Sequence, residues 1–262
     1  MWYNLYVRSH TRIWEFLFKE LEYHKKTHNP DAPRDVMDIY LNVIKSAEKE
    51  FVHESFSEEQ LVALSMDMFM AGSETTSNTL SFCFLYLILY PEVQKKAQDE
   101  IDAVVGKIRV PSLDDRPKLP YVECIVLESL RMFSGRAFTV PHRSLKDTYL
   151  NGYLIPKDVT VIANLYGCML EEDCGFEEPH IFRPERFIRD GKISVPENLI
   201  PFGFGKHRCL GETLARANVF LFIAAMLQKF TFCAVPQFPA TLEWLDGVTP
   251  RTKPFRAVIK RR

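Results

Sequence analysis

The sequence predicts a mainly α-helical chain with small β-sheets, and three observations predict it. An apolar stripe at helical spacing runs without a break from Leu61 to Leu89. Further helical patterns flank it at 10–28, 35–49, 92–105, 121–133 and 212–229. Short Val-, Thr- and Tyr-rich pieces alternate with turn residues between positions 137 and 162.

The first helix, over 10–28, is stopped by Asn29-Pro30. Asp31-Ala32-Pro33-Arg34 reads as a turn, and 35–49 as a second helix. Ser57, with Gln60 three residues on, is a capping-box signature that opens the long helix. Its stripe passes through Leu61, Leu64, Met68, Ala71, Thr75, Thr79, Phe82, Tyr86 and Leu89, and ends at Pro91. Met66, Phe69 and Met70 lie off the stripe, so the middle is apolar all round and is expected to be buried on every side. A helix over 92–105 stops at Gly106, and another over 121–133 opens after Pro120. Extended segments are expected near 137–143, 147–150, 153–155 and 159–162, with Asn151-Gly152 as a hairpin turn. An irregular stretch, 172–208, leads into the helix over 212–229; loops of this length are usually functional. Short strands around Asp246-Gly247 close the chain, and no linker divides 1–262 into independent domains.

A content of 47% hydrophobic and 26% charged residues is an ordinary globular balance for 262 residues. A net charge of −1, from 33 basic and 34 acidic residues, gives no reason to expect nucleic acid as a partner. The six cysteines have no Cys-x-x-Cys spacing, which argues against a zinc or redox pair and for free thiols in a reducing compartment. No signal peptide is visible. The longest apolar run, Leu80 to Tyr90, is too short to span a bilayer and reads as a buried core helix.

Four segments carry candidate chemistry. Phe202-Gly203-Phe204-Gly205-Lys206-His207-Arg208-Cys209-Leu210-Gly211 delivers one cysteine to the start of the 212–229 helix. The partial positive charge of a helix N-terminus favours a thiolate there, and a thiolate is a proximal ligand of haem iron. Phe202 can shield the sulfur, Gly203 and Gly205 permit unusual backbone angles, and Gly211 would let a flat cofactor approach the backbone. A cysteine beside glycines is otherwise most often a structural thiol. Two residues apart on a tight loop, Cys209 and His207 have poor geometry for a nucleophile–base pair. Ala71-Gly72-Ser73-Glu74-Thr75-Thr76 lies mid-helix, where small residues either admit a packing neighbour or leave room beside a reacting oxygen. Glu128 and Arg131 share one helix face and could be a surface ion pair; Phe182-Arg183-Pro184-Glu185-Arg186-Phe187 and Pro141-His142-Arg143 complete the set.

Together these segments resemble cytochromes P450, of the animal microsomal type containing family 2. The cysteine loop is similar to Phe-x-x-Gly-x-Arg-x-Cys-x-Gly, with His207 where arginine is usual. The 71–76 segment resembles the oxygen-activating motif of helix I. Glu128 and Arg131 resemble the K-helix pair, and Arg186 its later Pro-Glu-Arg-Phe partner. Asn29 to Asp35 resembles the turn before helix H. Ser134 stands where the family has proline.

The resemblance implies the C-terminal part of the P450 fold, from about helix G, and a haem-thiolate monooxygenase acting on a lipophilic substrate. Haem b would be held by Cys209 as axial ligand, with Ala71, Gly72, Phe202 and Gly205 lining it and His142 and His207 on its propionates. Thr75 and Glu74 would deliver protons. Glu128, Arg131 and Arg186 would form a buried structural network. Ser134 to Val140, Met66 to Ala71 and the surroundings of Val248 would line an apolar cavity. Electrons would come from NADPH through cytochrome P450 reductase, with cytochrome b5 as a second donor, on the cytosolic face of the endoplasmic reticulum membrane. Complete members are about twice this length. Met1 therefore reads as an alternative or mispredicted start, the N-terminal half is expected to be missing, and the isolated chain is expected to bind haem weakly. A non-enzymatic truncated fragment is the alternative.

Overall fold

Helix α1 spans Trp2–Thr27, beginning earlier than the periodicity predicts, and α2 spans Val36–Glu50. The long helix α3 spans Glu58–Leu89, with Gln60 N donating to the Ser57 hydroxyl at its start (3.2 Å). The structure, a computed structural model, describes residues 2–50 and 56–262; Met1 and residues 51–55 lie outside the described residues. The chain groups into two compact units, one up to Ser73 and one from Glu74 onward.

In the first unit Leu17 and Leu21 of α1, Leu41 of α2, and Leu61, Val62 and Met66 of α3 form one buried cluster. The corner between α1 and α2 is held by charge. Arg34 binds both carboxylate oxygens of the buried Asp38, at 2.7 and 2.9 Å, and draws its carboxyl well below the usual range. His24, Asp35 and Asp38 bring one ligand atom each within 4.8 Å of one another, but Arg34 already neutralises Asp38, so the cluster is an ion-paired corner.

The second unit is built on α5, Pro120–Ser134, nearly all of whose side chains are buried. It packs on α4 (Pro91–Val104), on α7 (Glu212–Lys229) and on a 3-10 turn at Pro184–Phe187. Gly106 ends α4 with φ +73°, in the left-handed region that glycine enters without strain. The strands form two-stranded antiparallel pairs. β1 (His142–Arg143) pairs with β4 (Thr160–Val161), and β2 (Thr148–Leu150) with β3 (Tyr153–Ile155). Asn151 and Gly152, at φ +47° and +82°, make the tight turn of the second pair, where both central residues need positive φ. β5 (Ile188–Arg189) pairs with β6 (Lys192–Ile193), β7 (Phe230–Ala234) with β10 (Ala257–Arg261), and β8 (Trp244–Leu245) with β9 (Arg251–Thr252).

Three expectations need correction. The middle of α3 is exposed rather than buried all round: Met68, Phe69 and Met70 are 41%, 50% and 51% exposed. An all-apolar helix surface signals burial only where something packs on it: Met66 joins the first unit's buried cluster, while Met68 to Met70 stay about half exposed. The helix α6 (Leu165–Met169) and the 3-10 turn at Leu113–Lys118 were not expected. Both are held by short polar caps, Asn164 Oδ1 on Tyr166 N (3.1 Å) and Asp115 on Ser112 N (2.9 Å), rather than by periodicity. The 172–208 stretch holds β5, β6 and two 3-10 turns within its irregular course. No helix among the described residues is long and apolar enough to cross a membrane.

Candidate functional site

Gly203 and Gly205, at φ +72° and +77°, turn the chain twice between Phe202 and Cys209. The loop closes on itself where Cys209 N donates to the Phe202 carbonyl (2.9 Å). Helix α7 follows directly, with Ala215 N on the Gly211 carbonyl (2.8 Å). Cys209 thereby stands three residues before the first helical residue, Glu212, and it is the exposed member of the six cysteines. A Cβ at Gly203 or Gly205 would meet nothing within 4 Å, and one at Gly211 would lie 4.0 Å from the Cys209 sulfur. The loop is thus an open shelf with one thiol on it. Phe202 packs against the main core, and the Arg216 guanidinium lies 5.1 Å from its ring centre. Arg216 is held in turn by Glu212 (3.0 Å), an i,i+4 pair visible in the sequence whose action on Phe202 was not.

The irregular segment before the loop is fixed by Glu128. Its carboxylate accepts from Arg131 Nε and Nη2 (both 2.8 Å), Arg186 Nε (3.0 Å) and the Arg183 amide (2.9 Å). Glu128 and Arg131 are fully buried, and Arg131 also donates to the Met169 carbonyl (2.6 Å) and lies over Phe176. Arg186 grips the carbonyls of Glu177 (2.7 Å), Glu178 (3.2 Å) and Ile181 (3.0 Å). Burial pushes its pKa down, against the pull of Glu128. Sequence reasoning finds the three side chains. It misses the Arg183 amide and the Met169 carbonyl, because a backbone donor or acceptor carries no side-chain signal.

On the histidine side, His142 of β1 and His207 of the loop meet edge to face with ring centres 5.9 Å apart. On α3, Ala71, Gly72, Glu74 and Thr75 lie within one five-residue helical stretch; a Cβ at Gly72 would meet nothing within 4 Å. The Thr75 carbonyl accepts from the Thr79 hydroxyl (2.8 Å).

A cytochrome P450 family model matches residues 3–257. The chain belongs to the cytochrome P450 family. It is 45% identical over 260 residues to "Probable cytochrome P450 303a1" of Drosophila melanogaster, covering 98% of this chain and 51% of that protein. It is 37% identical over 257 residues to "Farnesoate epoxidase" of Bombyx mori, covering 97% of this chain and 50% of that one. A solved zebrafish cytochrome P450 with abiraterone superposes with a TM-score of 0.87 at 30% identity, over 96% of this chain and 59% of that one. The chain spans about half the length of the curated relatives it matches.

The P450 family implies a haem cofactor, and the shelf fits one. A soft sulfur donor stands alone and exposed, glycines leave the space beside it open, and two imidazoles meet at its edge.

Proposed function

We propose that the protein to which this chain belongs is a haem-thiolate monooxygenase that inserts one atom of dioxygen into a lipophilic substrate and reduces the other to water. The observation that carries this reading is the exposed Cys209 presented before α7 on a glycine shelf. Haem, when bound there, supplies the iron at which dioxygen is activated. Cys209 would hold that iron through its sulfur as thiolate, the donor type that favours O–O cleavage. His142 and His207 would donate to the cofactor's carboxylates, and Ala71 and Gly72, with open space at Gly72, would line it without side-chain bulk. Thr75 would hold a proton at its hydroxyl for the reaction, and Glu74 would resupply it.

Electrons come from NADPH through cytochrome P450 reductase, with cytochrome b5 as a second donor, at the endoplasmic reticulum membrane. Lys206 and Arg208 beside the thiol offer the positive surface for an acidic flavoprotein. The exposed apolar run Met68 to Met70 supports a lipophilic substrate. The name of the Bombyx mori relative makes farnesoate the first probe to try.

The test is turnover of farnesoate under isotope-labelled dioxygen with NADPH and the reductase. One labelled oxygen atom is expected in the product. Thr75→Ala should cut product per NADPH consumed by about tenfold or more while NADPH oxidation continues. Label from water rather than dioxygen would overturn the monooxygenase reading. Absence of any oxygenated product across farnesoate, steroid and terpenoid probes would favour the non-enzymatic alternative.

A further inference from the structure

Two polar groups inside the second unit lie side by side without bonding to each other. Tyr86, in the last turn of α3, is fully buried. Its ring stacks flat on Phe182, with centres 4.4 Å apart, and more loosely on Phe82, at 6.5 Å. Its hydroxyl is buried and has no hydrogen-bond partner among the described residues. Arg136 follows the end of α5, and its guanidinium lies 5.3 Å from the Phe82 ring centre and 4.9 Å from that of Trp244 on β8. Nη1 donates to the Met132 carbonyl, but the buried Nε–H has no acceptor among the described residues. The two groups are neighbours: burial raises the Tyr86 pKa, and the adjacent Arg136 is the strongest influence opposing that rise.

A buried donor left unmet costs more than a formed hydrogen bond returns. The rings of Phe82 and Phe182 around the phenol offer neither a donor nor a lone pair. An arginine Nε can only donate, whereas a phenol can donate or accept. The group that answers both must accept from Nε–H, still meet the hydroxyl, and be small enough to sit among packed rings. Water has these properties, and buried water typically serves polar groups that the protein itself leaves unpaired.

We infer that Tyr86 Oη and Arg136 Nε together bind one buried water molecule, which accepts from the arginine and bridges it to the phenol. The bridge joins the end of α3 to the segment after α5 by hydrogen bonds, where the direct contacts are ring stacking alone. Arg136 is then fixed at both edges, by the Met132 carbonyl at Nη1 and by the water at Nε.

Two measurements test the inference. The first is a high-resolution crystal structure of the 262-residue chain. A density peak is expected at about 2.7–3.2 Å from both Tyr86 Oη and Arg136 Nε. An empty position, or a direct Tyr86–Arg136 bond in its place, would overturn the inference. So would a halide, revealed by anomalous scattering from a bromide-soaked crystal. The second is chemical denaturation of the chain and three variants. Tyr86→Phe should raise the unfolding constant about fivefold. Arg136→Lys keeps a cation beside Phe82 and Trp244 but removes Nε. In that background Tyr86→Phe should change the constant by less than about twofold. A neutral or stabilising Tyr86→Phe in the parent would show an unbonded hydroxyl and refute the bridge, as would equal effects in the two backgrounds.

Discussion

Glu128 is the residue on which most of the ordered loop depends, because one buried carboxylate answers two guanidinium groups and a backbone amide. Glu128→Ala strands Arg131 in the interior with its charge uncompensated. It should cost about 3–5 kcal/mol, read from chemical denaturation of the chain, whereas Asp99→Ala at the exposed Lys95 pair should cost about 1 kcal/mol or less. Equal effects would show that burial does not decide the matter. The Glu128–Arg131 pair is legible in the sequence because charges three apart in an otherwise apolar helix must meet each other. Its third partner is legible only by resemblance, 55 residues downstream of Arg131, since separation along the chain says nothing of proximity in the fold. Arg136 falls outside both signals: nothing in an isolated arginine announces that it will stack between Phe82 and Trp244.

Helices α1 and α2 meet at a corner whose strength depends on one imidazole. His24 faces two acceptors, the Glu20 carbonyl (2.8 Å) and the Asp35 carboxylate (2.8 Å), and only the doubly protonated ring satisfies both. Burial opposes that charge, but the Asp35 hydrogen bond and the Glu20 carbonyl outweigh it and the pKa is raised. The sign follows: the stabilisation is full below the unfolded value of about 6.5 and is lost as pH rises through the higher folded value. Amides from Glu20 to Asp38, corrected for intrinsic exchange, should be better protected at acidic than at alkaline pH, and His24→Gln should remove the difference. A pH-independent corner in the parent would contradict this. At the end of α5 a different constraint acts. A Cβ on Gly135 would come within 2.6 Å of the Leu170 Cγ and 2.9 Å of the Arg131 carbonyl. Gly135→Ala should therefore lower stability by about 1–3 kcal/mol in a denaturant melt, whereas Gly72→Ala, mid-helix and meeting open space, should raise it by up to about 1 kcal/mol. The helices were legible because their apolar periods run for many residues. Helix α6 was not, because five residues with one Asn cap carry too little pattern.

At the scale of the whole molecule, the mainly helical class with small sheets and the P450 fold agree between sequence and structure, since each rests on long patterns and on motifs in fixed order. What the sequence misjudged is what covers what. The apolar middle of α3 is exposed, because apolar residues announce a need for contact without naming the partner. Phe204, Leu210 and Leu214 are exposed beside the thiol, on the shelf that the family's cofactor would occupy, so added haem should reduce aggregation of the chain, measured by light scattering. The most direct test of the account is the absorption spectrum of the haem-loaded, reduced, carbon-monoxide-bound protein, compared between the parent and Cys209→Ala. The account predicts a thiolate-type Soret band in the parent and none in the variant; haem bound to the parent without that band, or a thiolate band surviving in Cys209→Ala, would contradict it.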